Sequence, residues 1–253
     1  MRWPWNRTAD DIDTINLGVD TGRRSVTCRA DVHTYILGAT GSGKGSVAAN
    51  WLKSQSAYIH EGLVKVDFVD LKWGMEAAMY SDALLAGTAT DIEQTLAMFK
   101  EIREELAKRA EAARGHTRLV KPTERNPRIL LVIDEATSLT SAGNKKQTDE
   151  AMQLLAELLR VGRAVGLVVV AMSQNPRVQA LSVRDLFPQR IALRLASESE
   201  ARMALGDDAV DAGAAPWRIP VDRPGVGYLA DMDSGQIQRF HAAYITDEEL
   251  RRM

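Results

Sequence analysis

The chain has 253 residues, of which 45% are hydrophobic and 26% are charged, as is ordinary for a soluble protein with one large α/β domain. Its formal net charge of −2 excludes a globally basic nucleic-acid coat, so nucleic-acid contacts must come from local basic loops. A single cysteine excludes an intrachain disulfide. Because the sequence also has no signal pattern and no apolar run long enough to span a membrane, we expect a cytoplasmic protein.

The N-terminal part is predicted to be an arm followed by a hairpin. Residues 1–15 are mostly polar around Trp3 and Trp5, and we assign them to the arm. The next stretch, residues 16–26, has the pattern of two short strands with a turn at residues 20–23. Residues 16–253 are predicted to form a single domain.

A phosphate-binding loop follows the third predicted strand, Tyr35-Ile36-Leu37. Its spacing is G-x-x-x-x-G-K, and the nucleotide-binding stretch comprises Gly38, Ala39, Thr40, Gly41, Ser42, Gly43, Lys44, Gly45 and Ser46. Glycines allow consecutive N–H groups to point at one anion, and the following helix adds the positive end of its dipole. Lys44 is expected to reach the β- and γ-phosphates of a nucleotide. A ligand-free glycine-rich turn is the alternative, but the flanking strand and helix patterns argue against it.

The residue after Lys44 departs from the usual motif. A serine or threonine hydroxyl at that position normally holds Mg²⁺, whereas this chain has Gly45 there and a hydroxyl on Ser46. One residue is a rotation of about 100° on a helix, so Ser46 can replace the missing group only if the helix begins one residue later. The departure leaves nucleotide binding largely unaffected and leaves the Mg²⁺ ligand open.

A second strand and a long helix follow the phosphate loop. Residues 63–70 predict a strand that ends in Asp70-Leu71-Lys72, and polar residues at the carboxyl end of a parallel strand face the ligand in open sheets. A merely solvated strand end is the alternative. Residues 90–114 predict an amphipathic helix that opens with a capping box at residues 90–93. Its predicted apolar stripe is Ile92, Leu96, Phe99, Ile102, Leu106 and Ala110.

Two adjacent acids end the next strand, as in a Walker B motif. Residues 128–133 are an apolar run, typical of a strand buried on both faces of a parallel sheet, and Asp134 and Glu135 follow directly. Asp134 is predicted to hold Mg²⁺, and Glu135 to polarise the attacking water as general base. Acids at a strand end also occur for solvation alone, but the phosphate loop upstream favours the catalytic interpretation.

The remaining elements complete an alternating α/β pattern. A polar loop over residues 141–146 is predicted to precede a helix over residues 149–161. The strand after it leads to Gln174, a predicted γ-phosphate sensor, with a plain strand cap as the alternative. Further predictions are a strand at residues 190–195, a helix at 197–205, a hairpin at 225–244 that turns at 233–235, and a capping box at 246–249.

The order of these motifs resembles the motor domain of FtsK/SpoIIIE-type DNA translocases, within the FtsK–HerA group of P-loop ATPases. The resemblance runs from about Leu17 to the last residue and extends beyond the Walker motifs. The stretches that carry it are HTYILGATGSGKGSV, FVDLKWGMEA, GRAVGLVVVAMSQNP, PQRIALRLASESEARMAL and FHAAYITDEELRRM. Gly45 departs from better-known members, and Asn175 stands where many have arginine.

The resemblance implies a RecA-like P-loop NTPase fold, with a doubly wound, mainly parallel sheet of order 5-1-4-3-2 and added N- and C-terminal hairpins. It also implies a homo-oligomeric ring, expected to be a hexamer, with ATP and Mg²⁺ between subunits and double-stranded DNA in the pore. An arginine from the neighbouring subunit would complete each site, and Arg190 and Arg202 match family arginines, with Arg194 a weaker candidate. The form expected is a freestanding motor as in conjugative elements or phages, aided by a membrane or DNA-processing partner protein.

Two other functions stay open at this point. The second candidate is a related ATPase that moves protein, as in type VII secretion. The third is a nucleotide-dependent assembly module, in which Gly45 would weaken turnover. If the protein moves DNA, it should contact phosphates without regard to base sequence. The predicted DNA-binding residues are Lys145, Lys146, Arg177 and Arg184, with an ordinary solvated loop as the alternative for the two lysines.

Overall fold

All the described strands lie in one sheet. A computed structural model describes residues 11–174 and 183–253. The strands are β1 (Thr14–Val19), β2 (Ser25–Arg29), β3 (Thr34–Leu37), β4 (Val64–Val69), β5 (Gly87–Ala89), β6 (Arg128–Ile133), β7 (Leu167–Ser173), β8 (Gln189–Leu193), β9 (Val226–Asp231) and β10 (Ile237–Ala242). The α-helices are α1 (Lys44–His60), α2 (Ile92–Ala113), α3 (Lys145–Val161), α4 (Glu198–Leu205), α5 (Asp207–Asp211) and α6 (Asp247–Arg251). Within these described ranges, no helix is both long and apolar enough to cross a membrane.

The central part of the sheet is parallel. The strand order is β2-β1-β10-β9-β8-β3-β7-β6-β4-β5. Its middle section, β8-β3-β7-β6-β4, is the predicted order 5-1-4-3-2 and is parallel throughout. Both predicted hairpins are present, as β1–β2 and β9–β10, and they extend the sheet beyond β8 with antiparallel pairing. The carboxyl ends of the five parallel strands therefore meet at one edge.

Two apolar layers cover the faces of this sheet. Every residue of β6 and β7 is buried, as a strand covered on both faces requires. One face packs against α2 and α3 and includes Phe99, and the other packs against α1 and includes Trp51. Burying such side chains stabilises the fold by about 25 cal/mol for each Å² of apolar surface removed from water. This core holds the strand ends in fixed positions.

Helix α2 matches its prediction except at its two ends. Its N-cap is Asp91, whose side chain accepts from the backbone N–H of Gln94, so the cap lies one residue after the predicted Thr90. Ala110 is exposed, whereas the neighbouring Arg109 is buried and donates to the carbonyls of Pro127 and Val165. The hydrogen bonds of this guanidinium to carbonyls of distant segments cannot be predicted from the helical periodicity of the sequence.

Helix α3 begins earlier than predicted. It starts at Lys145 rather than at residue 149, so Lys145 and Lys146 lie in the first helical turn and not in a loop. Asn144 is the N-cap and forms a capping box with Gln147, in which each side chain accepts from the backbone N–H of the other residue. Asparagine with glutamine satisfies the free N–H groups as serine with glutamate does, which is why the helix extends through the two lysines.

His33 is a buried histidine whose two ring nitrogens are both used. Nδ1 accepts from the backbone N–H of Val169 at 2.9 Å, so Nε2 carries the proton and donates to the carbonyl of Leu159 at 3.1 Å. Burial, together with the charge of Arg163, lowers the pKa of His33 from 6.5 to about 4. The native state thus holds this side chain in its neutral form.

Acid is therefore expected to destabilise the fold through His33. Between pH 6.5 and about 4 the unfolded chain takes up a proton that the native chain refuses, so stability falls as pH falls. The loss should approach about 3 kcal/mol, since each pKa unit corresponds to about 1.4 kcal/mol. Urea unfolding at several pH values should show a smaller decrease for His33→Gln than for the parent. The exposed His116→Gln serves as the matched control, and equal decreases in the parent and His33→Gln would contradict the assignment.

Candidate active site

The segments that follow β3, β4, β6 and β7 meet in one cleft at the carboxyl edge of the sheet. The cleft has a volume of about 420 Å³. Its lining includes residues 40–46 together with Asp70, Lys72, Met75, Glu76, Asp134 and Gln174. The structure therefore brings the predicted phosphate loop, the first acid of the Walker B pair and the predicted sensor together. They converge because parallel strands end at the same edge.

The phosphate loop needs glycine at two tightly packed positions. Gly43 is the N-cap of α1 with φ of 99°, and a Cβ there would lie 2.4 Å from the backbone nitrogen of Gly225. Gly38 has no such φ, but a Cβ on it would lie 2.4 Å from the Ser42 Oγ. The N–H of Gly225 in turn donates to the Ser42 carbonyl at 2.8 Å. The segment leading into β9 thus braces the loop.

Lys44 and the start of α1 give the loop its positive charge. The Lys44 Nζ donates to the carbonyl of Gly38 at 2.7 Å, so the side chain curls back over its own loop. Burial lowers the pKa of Lys44, while the charge of Glu135 acts in the opposite direction. The first turn of α1 has no acidic residue and no side-chain cap. Its free N–H groups and dipole therefore favour an anion at this point.

Glu135 is held in a fixed orientation. Its Oε1 accepts from the Ser173 Oγ at 3.0 Å, from the Gln174 backbone N–H at 3.3 Å and from the Thr137 hydroxyl. The residue is only 8% exposed. These donors come from the segment after β6 and from the end of β7, so the sheet itself positions the carboxylate. A fixed carboxylate beside a phosphate loop is what a general base for water attack requires.

Asp134 is paired with Lys72, the lysine that follows β4. The Lys72 Nζ lies 3.1 Å from Asp134 Oδ2 and 3.8 Å from Glu135 Oε2. Burial disfavours the charged lysine, but the attraction of Asp134 and Glu135 outweighs it, and the pKa of Lys72 is raised. A cation between the two acids indicates that their charges need a counterion here.

Asp70 has a structural role and does not present its carboxylate to the cleft as a free ligand. It is fully buried and accepts from the backbone N–H groups of Lys72, Glu76 and Ala77. At the polar end of this strand, Lys72 lines the cleft, whereas the Asp70 carboxylate is occupied by backbone N–H groups.

Gln174 connects the end of β7 with the phosphate loop. Its Oε1 accepts from the Thr40 hydroxyl at 2.9 Å, and its backbone N–H donates to Glu135. A residue joined to the phosphate loop through its side chain and to the Glu135 carboxylate through its backbone is well placed to respond to what the loop binds. The sensor role of Gln174 stays a prediction.

These motifs also define the family. The model of the FtsK/SpoIIIE family matches residues 4–219. The chain belongs to the FtsK/SpoIIIE family. Its sequence is 26% identical over 287 residues to DNA translocase FtsK 2 of Ralstonia nicotianae, covering 98% of this chain and 35% of that protein. It is 28% identical over 248 residues to protein Tra of Streptomyces lividans, covering 89% of this chain and 36% of Tra. The chain thus spans about a third of the length of these two relatives.

Solved structures agree with this family fold. The pCW3 conjugation coupling protein TcpA, in its monomer form with ATPγS, superposes with a TM-score of 0.78 at 19% identity, over 96% of this chain and 69% of TcpA. The cytoplasmic domain of the Thermomonospora curvata type VII secretion ATPase EccC gives 0.74 at 22% identity, over 97% of this chain and 31% of the other. At these identities the likeness shows the fold alone. The chain therefore has the P-loop fold of the FtsK/SpoIIIE family.

The two arginines predicted to act on a neighbouring FtsK/SpoIIIE subunit lie outside the phosphate-loop cleft. Arg190 is 8% exposed on β8 and donates to the Phe187 carbonyl and to Asp185. Burial, and then the charge of Arg184, lowers the pKa of Arg190. A guanidinium enclosed in its own domain does not fit a role at a neighbour's site.

Arg202 is more accessible, on α4. It forms ion pairs with Glu198, Asp207 and Asp211, and these bonds raise its pKa. Arg194, the weaker candidate, donates to the carbonyl of Thr40 and so supports the phosphate loop of its own chain. Arg202 therefore remains the candidate for action between subunits.

The predicted DNA-binding residues lie in different surroundings. Lys145 and Lys146 are exposed at the start of α3, and Lys145 pairs with Asp149 at 2.7 Å. Arg184 donates to the Met203 carbonyl and is engaged within its own chain. Arg177 lies outside the described residues. The two lysines are thus the described candidates that present their charges to solvent.

Glu76 is a cleft residue that the sequence patterns did not single out. Burial, followed by the charges of Asp134 and Asp70, raises the pKa of the Glu76 carboxyl above its ordinary value. The predicted metal ligand Ser46 also lines the cleft. However, α1 begins at Lys44, so the one-residue displacement that would align Ser46 with the usual hydroxyl position does not occur. Glu76 lies in the stretch FVDLKWGMEA, and no motif spacing in the sequence identifies it as a site residue.

Proposed function

We propose that this protein is an ATP-hydrolysing motor that translocates double-stranded DNA as a homo-oligomeric ring, expected to be a hexamer. The observation that carries the proposal is that Lys44 and Asp134 line one cleft at the sheet edge of an FtsK/SpoIIIE-family chain, with Glu135 next to Asp134 and both acids near Lys72. Relatives in that family are named DNA translocases, which supports DNA as the substrate moved.

Residues at this edge of the sheet divide the chemistry of hydrolysis among them. The N–H groups of the phosphate loop and Lys44 bind the β- and γ-phosphates of ATP. Glu135 accepts the proton of the attacking water, and Gln174 relays the state of the γ-phosphate to Thr40 and Glu135. Asp134 would help to hold Mg²⁺, which when bound would neutralise charge on the phosphates.

The first turn of α3 supports a contact with DNA phosphates. Lysines at a helix N-terminus are electrostatically unfavourable because the dipole places positive charge there, although the ion pair of Lys145 with Asp149 offsets part of this repulsion. The same end of a helix attracts anions. The two exposed lysines and the positive end of the helix dipole form a positively charged patch. Such a patch suits a phosphate backbone and carries no base preference.

Two other functions of the same ATPase remain as alternatives. The likeness to the type VII secretion ATPase EccC favours a protein substrate as the second candidate, although at 22% identity it supports only the fold. A nucleotide-dependent assembly module with weak turnover is the third, and it rests on Gly45. The ordered Glu135 and the nearby Gln174 argue against weak turnover.

Stimulation of ATP hydrolysis by DNA tests the proposal. Long duplex DNA should stimulate hydrolysis by the parent at low salt. Lys145→Ala combined with Lys146→Ala should abolish this stimulation and leave basal hydrolysis near the parental rate, because the phosphate loop is unchanged. The slope of log affinity against log salt should decrease by about one to two units, roughly one for each lysine that no longer neutralises a DNA phosphate.

A matched control removes the same charge elsewhere. Lys108→Ala combined with Lys121→Ala replaces two other exposed lysines and should preserve both the stimulation and the salt slope. Failure of duplex DNA to stimulate the parent would reject the translocase function. Hydrolysis that is stimulated instead by a protein substrate would then favour the second candidate.

A further inference from the structure

We infer that the Glu76 carboxylate replaces the hydroxyl that Gly45 lacks as the protein's ligand to the Mg²⁺ of the bound nucleotide, a role that rests on the proposed ATPase function. The usual motif places that hydroxyl one bond beyond the Cβ of the residue after the lysine. A Cβ built on Gly45 would lie 3.1 Å from Glu76 Oε1. An oxygen from the segment after β4 thus stands beside the position that a serine side chain would occupy.

The backbone holds Glu76 at this position independently of its side chain. The fully buried Asp70 accepts from the N–H of Glu76 at 2.7 Å and from the N–H of Ala77 at 3.1 Å. The same carboxylate accepts from the N–H of Lys72 at 3.0 Å through its other oxygen. Because Asp70 shapes the segment through backbone groups, changing the Glu76 side chain should leave the segment in place.

The chemistry of the cleft fits a hard cation at this point. Glu76 and Asp134 both line the cleft beside the phosphate loop, and a bound cation would offset their mutual repulsion. Mg²⁺ in nucleotide sites is held by one or two carboxylates, the phosphates and water, so a larger protein cage is not needed. The described ranges 11–174 and 183–253 contain no cluster of three or more histidine, cysteine or acidic residues that could hold a metal.

Ser46 is the competing ligand. It is the third residue of α1, and one helical position turns its side chain about 100° away from that of Gly45. Glu76 needs no such displacement of the helix, because its oxygen already lies beside Gly45. The two assignments therefore predict that different substitutions lower the affinity for Mg²⁺: Glu76→Gln in one case and Ser46→Ala in the other.

Binding of ATPγS at controlled Mg²⁺ concentrations tests the inference without depending on turnover. Isothermal titration calorimetry in EDTA gives the affinity of the protein for the nucleotide alone. Titration at set Mg²⁺ concentrations gives the increase in that affinity that Mg²⁺ produces. Glu76→Gln should reduce the Mg²⁺ affinity of the protein–nucleotide complex by at least about tenfold, as loss of metal-site groups typically does. Its affinity for ATPγS in EDTA should stay at the parental value or rise slightly, since a negative charge has been removed.

A double-mutant cycle makes the test specific to the replaced hydroxyl. Gly45→Ser should restore most of the Mg²⁺ affinity in the Glu76→Gln background and add little when Glu76 is present, a strong non-additivity. The added Cβ is tolerated because its 3.1 Å contact is with the end of a flexible, half-buried side chain. Glu104→Gln removes the same charge from an exposed position on α2 and should change nothing.

Several results would overturn the inference. An unchanged Mg²⁺ affinity in Glu76→Gln, or additive effects in the cycle, would remove Glu76 from the metal site. Loss of Mg²⁺ affinity in Ser46→Ala, with Glu76→Gln at the parental value, would assign the ligand to Ser46. A parent that fails to bind ATPγS even in EDTA would reject the proposed nucleotide site itself, which is a distinct outcome. Thermal unfolding of each variant separates misfolding from loss of the ligand.

Discussion

Glu135→Gln is expected to bind ATP as tightly as the parent and to hydrolyse it about 10²–10⁴-fold more slowly, the usual contribution of a general base. The Glu135 Oε1 accepts from the Ser173 hydroxyl and the Gln174 N–H, and an amide oxygen accepts the same bonds. The substitution therefore removes the proton acceptor and leaves the local geometry intact. Single-turnover hydrolysis and equilibrium binding of ATP should be measured on the same preparation.

Lys44→Ala provides the contrasting variant. Loss of the Lys44 ammonium should weaken nucleotide binding directly, because this group is the charge aimed at the β- and γ-phosphates. Glu135→Gln should thus keep ATP binding and lose hydrolysis, whereas Lys44→Ala should lose both. Hydrolysis at the parental rate by Glu135→Gln would refute the assignment of the base.

Mixed subunits should recover activity that neither variant has alone. An arginine from a neighbour that faces the γ-phosphate is worth about 10³–10⁵ in rate in GTPases. Arg202→Ala alone and Lys44→Ala alone should therefore be nearly inactive. In a mixture, some interfaces combine an intact Lys44 with an intact Arg202, and hydrolysis should reappear there.

Arg202 is paired with acidic residues of its own chain. Arg202 must leave Glu198, Asp207 and Asp211 to reach another subunit, and all three carboxylates are themselves open to solvent. Arg114→Ala is the matched control, because Arg114 is an exposed helix-end arginine paired with Glu111, and it should be active alone.

Arg190→Ala should behave differently from Arg202→Ala in the mixture. Its guanidinium is buried against Asp185 and the Phe187 carbonyl, so its loss should lower stability and should not be rescued by Lys44→Ala subunits. If Arg202→Ala gives no recovery while subunits exchange, the assignment of this residue to the neighbour's site fails.

Local sequence patterns were sufficient to predict the motifs that depend on consecutive residues. A glycine-rich loop before Lys44 and an apolar strand before Asp134 are recognisable because their chemistry requires fixed spacing along the chain. The two hairpins followed from alternating runs around turn residues, and both are present. The order of the five central strands came from the family resemblance and is confirmed.

Contacts between distant side chains emerged only from the folded chain. Lys72 reaches Asp134, and Glu76 stands beside Gly45, because the segment after β4 folds around the buried carboxylate of Asp70. The burial of Arg190 likewise depends on packing that no spacing in one strand records. Local patterns specify what each segment can do, whereas contacts between segments depend on strand order and on buried hydrogen bonds. The phosphate loop could therefore be predicted from the sequence, whereas the contact between Glu76 and Gly45 could not.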